Sequence, residues 1–111
     1  MQTLLVLTNL PDADSARTLA ARLIEAHLAA CVNILAPCRS VYRWQGAVDE
    51  VEEVPLVIKT TAARYAAVEA AILASHPYTL PEIVAIPVET GLPAYLAWVG
   101  SETLADGTTS C

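Results

Sequence analysis

The 111-residue sequence predicts an α+β domain of the split βαβ kind, in the order β-α-β-β-α-β with a further helix at the end. Three observations carry this reading. Short apolar runs alternate with helical stripes, a long extended stretch turns back on itself at Gly46, and prolines stand where helix gives way to strand.

Thr3 to Thr8 is a continuous apolar run and reads as a short strand buried on both faces. Asn9-Leu10-Pro11-Asp12 then turns into a helix from about Asp14 to Ala29, with Asp12, Asp14 or Ser15 as its cap. Leu19, Leu23 and Ile24 form its apolar stripe; Arg17, Arg22 and Glu25 lie on its wet side. Cys31 to Arg43 is extended, and Pro37 within it implies a bulge, a bend or an edge. Trp44-Gln45-Gly46-Ala47 is the turn, and Val48 to Thr61 returns, acidic first and apolar later. Pro55 in the return strand points to a local bulge.

Thirteen strand residues span roughly 43 Å, against a radius of gyration of about 13 Å for a domain of this length. The hairpin tip must therefore overhang its own core, and an overhanging hairpin with aromatic residues needs a partner. Thr60 or Thr61 caps a second helix, Ala62 to Ser75, with Tyr65, Val68 and Ile72 inward. His76-Pro77 stops that helix, and Pro81 and Pro87 bracket a last strand, Glu82 to Val88. Pro93 opens a final helix with Tyr95, Trp98 and Val99 inward, ending near Gly100 or Ser101. Residues 1–104 make a single domain and 105–111 a small polar tail read as disordered. The whole is a ferredoxin-like pattern with a long hairpin.

Composition narrows the function. Hydrophobic residues are 55% and charged ones 16%, where an ordinary domain has about 25% charge. No apolar run is long enough for a membrane span. So apolar a small surface suggests coverage by another chain. A net charge of −6 repels a phosphate backbone, so nucleic acid is excluded as a partner. Three cysteines, Cys31, Cys38 and Cys111, and a start without a basic region fit a reducing cytoplasm. No nucleophile–base pair, phosphate loop or zinc-type spacing is present, which argues against an enzyme.

The loop from His76 carries an imidazole, a phenol (Tyr78) and a carboxylate (Glu82) within seven positions. His76 is either a helix terminus or a ligand contact; Glu82 is either a solvated strand start or part of a polar cleft. Lys59, the only lysine, either packs its stem on the sheet or holds an anion or Glu82. Trp44 is a candidate interface anchor, and the acidic run Asp49–Glu53 is a solvated edge with weak appeal to hard cations.

Five segments in order carry a resemblance: Thr8-Asn9-Leu10-Pro11-Asp12, Leu28 to Ile34, Tyr42-Arg43-Trp44-Gln45-Gly46, Lys59-Thr60-Thr61, and His76-Pro77-Tyr78 with Pro81-Glu82-Ile83. Together they resemble the CutA divalent-cation tolerance family, over about residues 3 to 102. That resemblance implies a homotrimer with hairpins extending sheets between subunits, a role in tolerance to divalent metals, copper especially, and likeness to the trimeric PII signalling proteins. It implies no reaction and no required cofactor. Alternatives that it leaves are a PII-like small-molecule sensor and a structural trimer displaying a protein-binding surface. It implies a subunit-boundary cleft of Tyr42, Trp44, Lys59, His76, Tyr78, Glu82 and Trp98, with His76 as the metal ligand. Some members of that family carry a Cys and a second His where this chain has Thr8 and Ser75, which removes two soft-metal ligands.

Overall fold

A computed structural model describes residues 1–104; the predicted tail lies outside the described residues. The elements are β1 (Thr3–Leu10), α1 (Ala13–Glu25), β2 (Cys31–Ile34), β3 (Cys38–Trp44), β4 (Ala47–Thr61), a 3₁₀ turn (Ala62–Arg64), α2 (Tyr65–Ser75), β5 (Val84–Pro87) and α3 (Pro93–Glu102). The mixed α+β fold with an antiparallel sheet matches the sequence expectation.

β4 organises the sheet. Its apolar half pairs with β1 from Thr3↔Thr61 to Leu10↔Val54. On its other side it pairs first with β3 (Trp44↔Ala47 to Cys38↔Glu53) and then with β2 (Ile34↔Leu56 to Cys31↔Lys59). From Ile34 to Cys38 is four residues, while Leu56 to Glu53 is three. The extra residue is a bulge at 35–37, where Pro37 stands. The ladder from β1 runs through Pro55 without a shift, so the bulge lies opposite Pro55 rather than in β4. Leu35 N–H donates to the Pro55 carbonyl at 2.9 Å. A residue's N and C=O face the same neighbour in a strand, so the missing Pro55 donor faces the bulge, where the ladder is already interrupted.

The tip closes through Gln45 (φ 49) and Gly46 (φ 81). Two successive positive φ values make the primed turn whose twist suits a two-residue hairpin. The molecule measures 52 × 26 × 23 Å, and the overhang follows from β4, at fifteen residues the longest element.

β1 runs two residues beyond the expected Thr8, because Asn9 and Leu10 still find partners in Pro55 and Val54. α1 ends at Glu25, four residues before the expected Ala29. His27 adopts φ 57, Leu28 N–H reaches the Leu23 carbonyl at 2.9 Å and His27 N–H the Ile24 carbonyl at 3.1 Å. This is a Schellman stop with histidine where glycine is usual. Its start is as read: Asp12 accepts from Ser15 N–H at 2.8 Å, and that bond holds the Asp12 carboxyl below its ordinary value. Neither Thr60 nor Thr61 caps the second helix. Thr60 donates instead to the Leu28 carbonyl at 2.6 Å, and Thr61 makes no side-chain cap bond. The last strand shrinks to Val84–Pro87, with Val88 N–H still bound to the Thr3 carbonyl.

The core lies between one sheet face and α1 and α2. Val6, Leu10, Val54, Leu56 and Ile58 meet Leu19, Leu23, Val68 and Ile72. Even-numbered residues of β1 and β4 from Val54 onward therefore point inward, and the sheet is not buried on both sides as expected. Its other face presents Leu5, Leu7 and Val57 half-buried, with Val84 and Ile86 exposed. α3 packs on β1 and β4, and the burial of Thr3 and Thr61 marks the end of that face which it covers. Of the α3 residues expected inward only Val99 is buried; Tyr95 and Trp98 are 40% and 43% exposed.

Within the core, the Thr8 hydroxyl is buried with no hydrogen-bond partner among the described residues. An unmet buried hydroxyl costs free energy that an isosteric methyl does not. Thr8→Val should raise the unfolding free energy by about 1 kcal/mol in urea titration; an unchanged or lower value would show that the hydroxyl finds a partner.

Candidate functional site

The loop after α2 is tied to the end of β1. His76 follows the last helical residue in an extended conformation (ψ 131), as the adjacent proline dictates. Tyr78 N–H donates to His76 Nδ1 at 3.2 Å. The proton of the neutral ring is then on Nε2, which donates to the Asn9 carbonyl at 2.6 Å. The His76 and Tyr78 rings meet at a tilt, their centroids 4.7 Å apart and their planes at 57°.

Asn9 is the centre of the cluster. Its amide nitrogen lies 3.4 Å from a Glu53 oxygen and 3.2 Å from a Glu82 oxygen, so one donor group serves two carboxylates. Glu53 is 7% exposed and corrects the reading of its acidic run as a solvated edge. It is an odd-numbered residue of β4, turned toward Asn9 rather than the helices. The Tyr78 phenol is pushed up to about 12, mainly by burial, then by its hydrogen bond to Glu53 and that residue's charge, with smaller effects of Tyr42 and Asp12.

His76, Tyr78 and Glu82, three of the seven residues that the resemblance assigned to a subunit-boundary cleft, lie around Asn9 in this chain. Lys59 does not join them: its ammonium donates to Asn33 Oδ1 and lies 3.9 Å from Cys31 Sγ, and Glu82 is bound to Asn9 instead. Trp44 flanks the hairpin turn, 37% exposed, and Trp98 sits on α3 against Tyr95 at 5.6 Å. Asn9 and Glu53 escaped the sequence reading as site residues. Their signal was a polar residue in strand register on the face of Leu5 and Leu7, and a carboxylate at the border of the apolar half of β4.

Both His76 nitrogens are engaged within the chain, and among the described residues no three His, Cys, Asp or Glu side chains converge as a cation site. Cys31 and Cys38 are free and half-buried, on separate strands. No described helix is long and apolar enough to cross a membrane.

A family model, the CutA1 divalent ion tolerance protein, matches residues 4–102. The chain belongs to the CutA1 family. It is 46% identical to the divalent-cation tolerance protein CutA of Thermus thermophilus over 98 residues, 88% of this chain and 95% of that one. The crystal structure of CutA from Xylella fastidiosa superposes with a TM-score of 0.89 at 40% identity, over 93% of this chain and 99% of that one. The structure of the periplasmic divalent cation tolerance protein CutA from Archaeoglobus fulgidus also gives 0.89, at 35% identity, over 92% and 99%. None of these CutA names describes a catalytic activity.

Spectrophotometric titration should find one phenol ionising near 12, absent in Tyr78→Phe. Because the folded value is raised above the ordinary 10.0, this phenol's stabilisation is complete below pH 10 and lost as pH rises toward 12. Wild-type stability should therefore fall more steeply than that of Tyr78→Phe across this window. Parallel decline in both would place the phenol in solvent.

Proposed function

We propose that this CutA1 family member acts in tolerance to divalent cations as a homotrimer. The observation that carries the assembly is the sheet face of Leu5, Leu7, Val57, Val84 and Ile86, which none of the described elements covers beyond the α3 end. Continuous apolar patches of this kind mark interaction surfaces. The overhanging hairpin, with Val41 and Val48 at 65% and 62% exposure, supports the same reading. The free Cys31 and Cys38 support a reducing compartment, although the Archaeoglobus relative is named as periplasmic.

Light scattering should return about three times the 11.8 kDa chain mass. A monodisperse 11.8 kDa species at every concentration would sink the proposal.

In this reading His76 fastens the loop to β1 and is not the metal ligand, and any divalent ion is held by oxygen donors, which suit hard cations. Calorimetry with Cu(II) and Zn(II) should give the same isotherms for wild type and His76→Ala, folding of the variant being confirmed by circular dichroism. Loss of binding heat in the folded variant would restore His76 as a ligand. The same substitution should lower stability by about 1–3 kcal/mol, since it leaves the Asn9 carbonyl and Tyr78 amide without their partner.

A further inference from the structure

Lys59 lies on the uncovered sheet face, in a cross-strand row with Ile86, Leu5 and Cys31. Its ammonium has three donors and, among the described residues, meets Asn33 Oδ1 and Cys31 Sγ and no carboxylate. The ion pairs among the described residues are Arg17–Asp14 and Arg39–Glu50, neither near it. A chain that covers this face strips water from a cation without a counter-charge, a heavy penalty unless it brings one.

The same strand carries the complement. Asp49 has the same parity as Lys59 on β4 and so projects from the same face. It is exposed and stands opposite Tyr42 on the hairpin. Glu50 is already held by Arg39, and Glu52 has the opposite parity. Ten residues along a strand separate Asp49 from Lys59 by roughly 33 Å. They cannot meet within one chain, and neither has an ion-pair partner among the described residues.

We propose that, in the homotrimer inferred above and resting on that reading, Lys59 of one copy pairs with Asp49 of a neighbouring copy. The pair fixes the register in which the hairpin of one copy lies across the open sheet of the next. Apolar contact alone permits sliding; a single cation and a single carboxylate at a set spacing do not.

Dilution series followed by light scattering test this on the full chain. Lys59→Asp and Asp49→Lys should each raise the dissociation midpoint by about tenfold or more, and the double exchange should return it toward wild type. Lys59→Met, which keeps the stem, should also weaken assembly because Asp49 loses its partner. Circular dichroism confirms that each variant is folded. A trimeric wild type whose single variants dissociate no more readily, or whose double exchange is no better than the singles, overturns the pairing alone. A monomeric wild type overturns the assembly reading and the pairing with it.

Discussion

One strand holds this molecule together. β4 runs fifteen residues without a break and gives one side to β1 and the other to β3 and then β2. A strand that serves two layers of chemistry cannot shift by one residue without turning its whole apolar set to the wrong face. Val54, Leu56 and Ile58 lock that register, each at most 4% exposed. The hairpin is therefore a lever rigidly set in the core, and it inherits its direction from residues that it never touches. The bulge at 35–37 lets β3 and β2 share this strand and absorbs the missing donor of Pro55 in the same stroke.

The Asn9 cluster gains its order from that lever. Glu53 stands where the acidic hairpin enters the apolar sheet, buried with one oxygen met by the Asn9 amide. His76 completes the arrangement through main-chain groups only, an amide on one nitrogen and a carbonyl on the other. Three separate parts of the sequence, around positions 9, 53 and 76–82, become one corner. The polar residues of this family motif are first of all its internal ties, and a ligand that uses the His76 ring must displace one of them.

Most of the architecture was legible in the sequence because it follows from local periodicity and from prolines. The element order, the hairpin turn at Gly46 and the inward set Val68 and Ile72 needed nothing more. The departures have nonlocal causes. α1 stops early because His27 takes a left-handed conformation that its neighbours do not announce. Thr60 left its capping role for a carbonyl 32 residues away. Tyr95 and Trp98 have the spacing of an inward stripe, yet only Val99 beside them finds the sheet. In the site, His76, Tyr78 and Glu82 were visible as neighbours in sequence, whereas Asn9 and Glu53 join them only through the pairing of β1 with β4. Lys59 was read as packing its stem on the sheet or holding an anion or Glu82; it shares the face of Glu53, but six residues along β4 separate them and its ammonium goes to Asn33.

Pro87 gives the outer rim of the sheet a particular character. Val84, Ile86 and Val88 turn their main-chain groups toward β1, which leaves Ala85 and Pro87 facing outward. Of those two only Ala85 owns an N–H. A foreign strand laid along β5 finds carbonyls and a single donor, too few for a regular ladder. This border accepts a partner chosen by its side chains and refuses one that offers only backbone. At this one edge of the sheet, side chains rather than main-chain groups decide what can join.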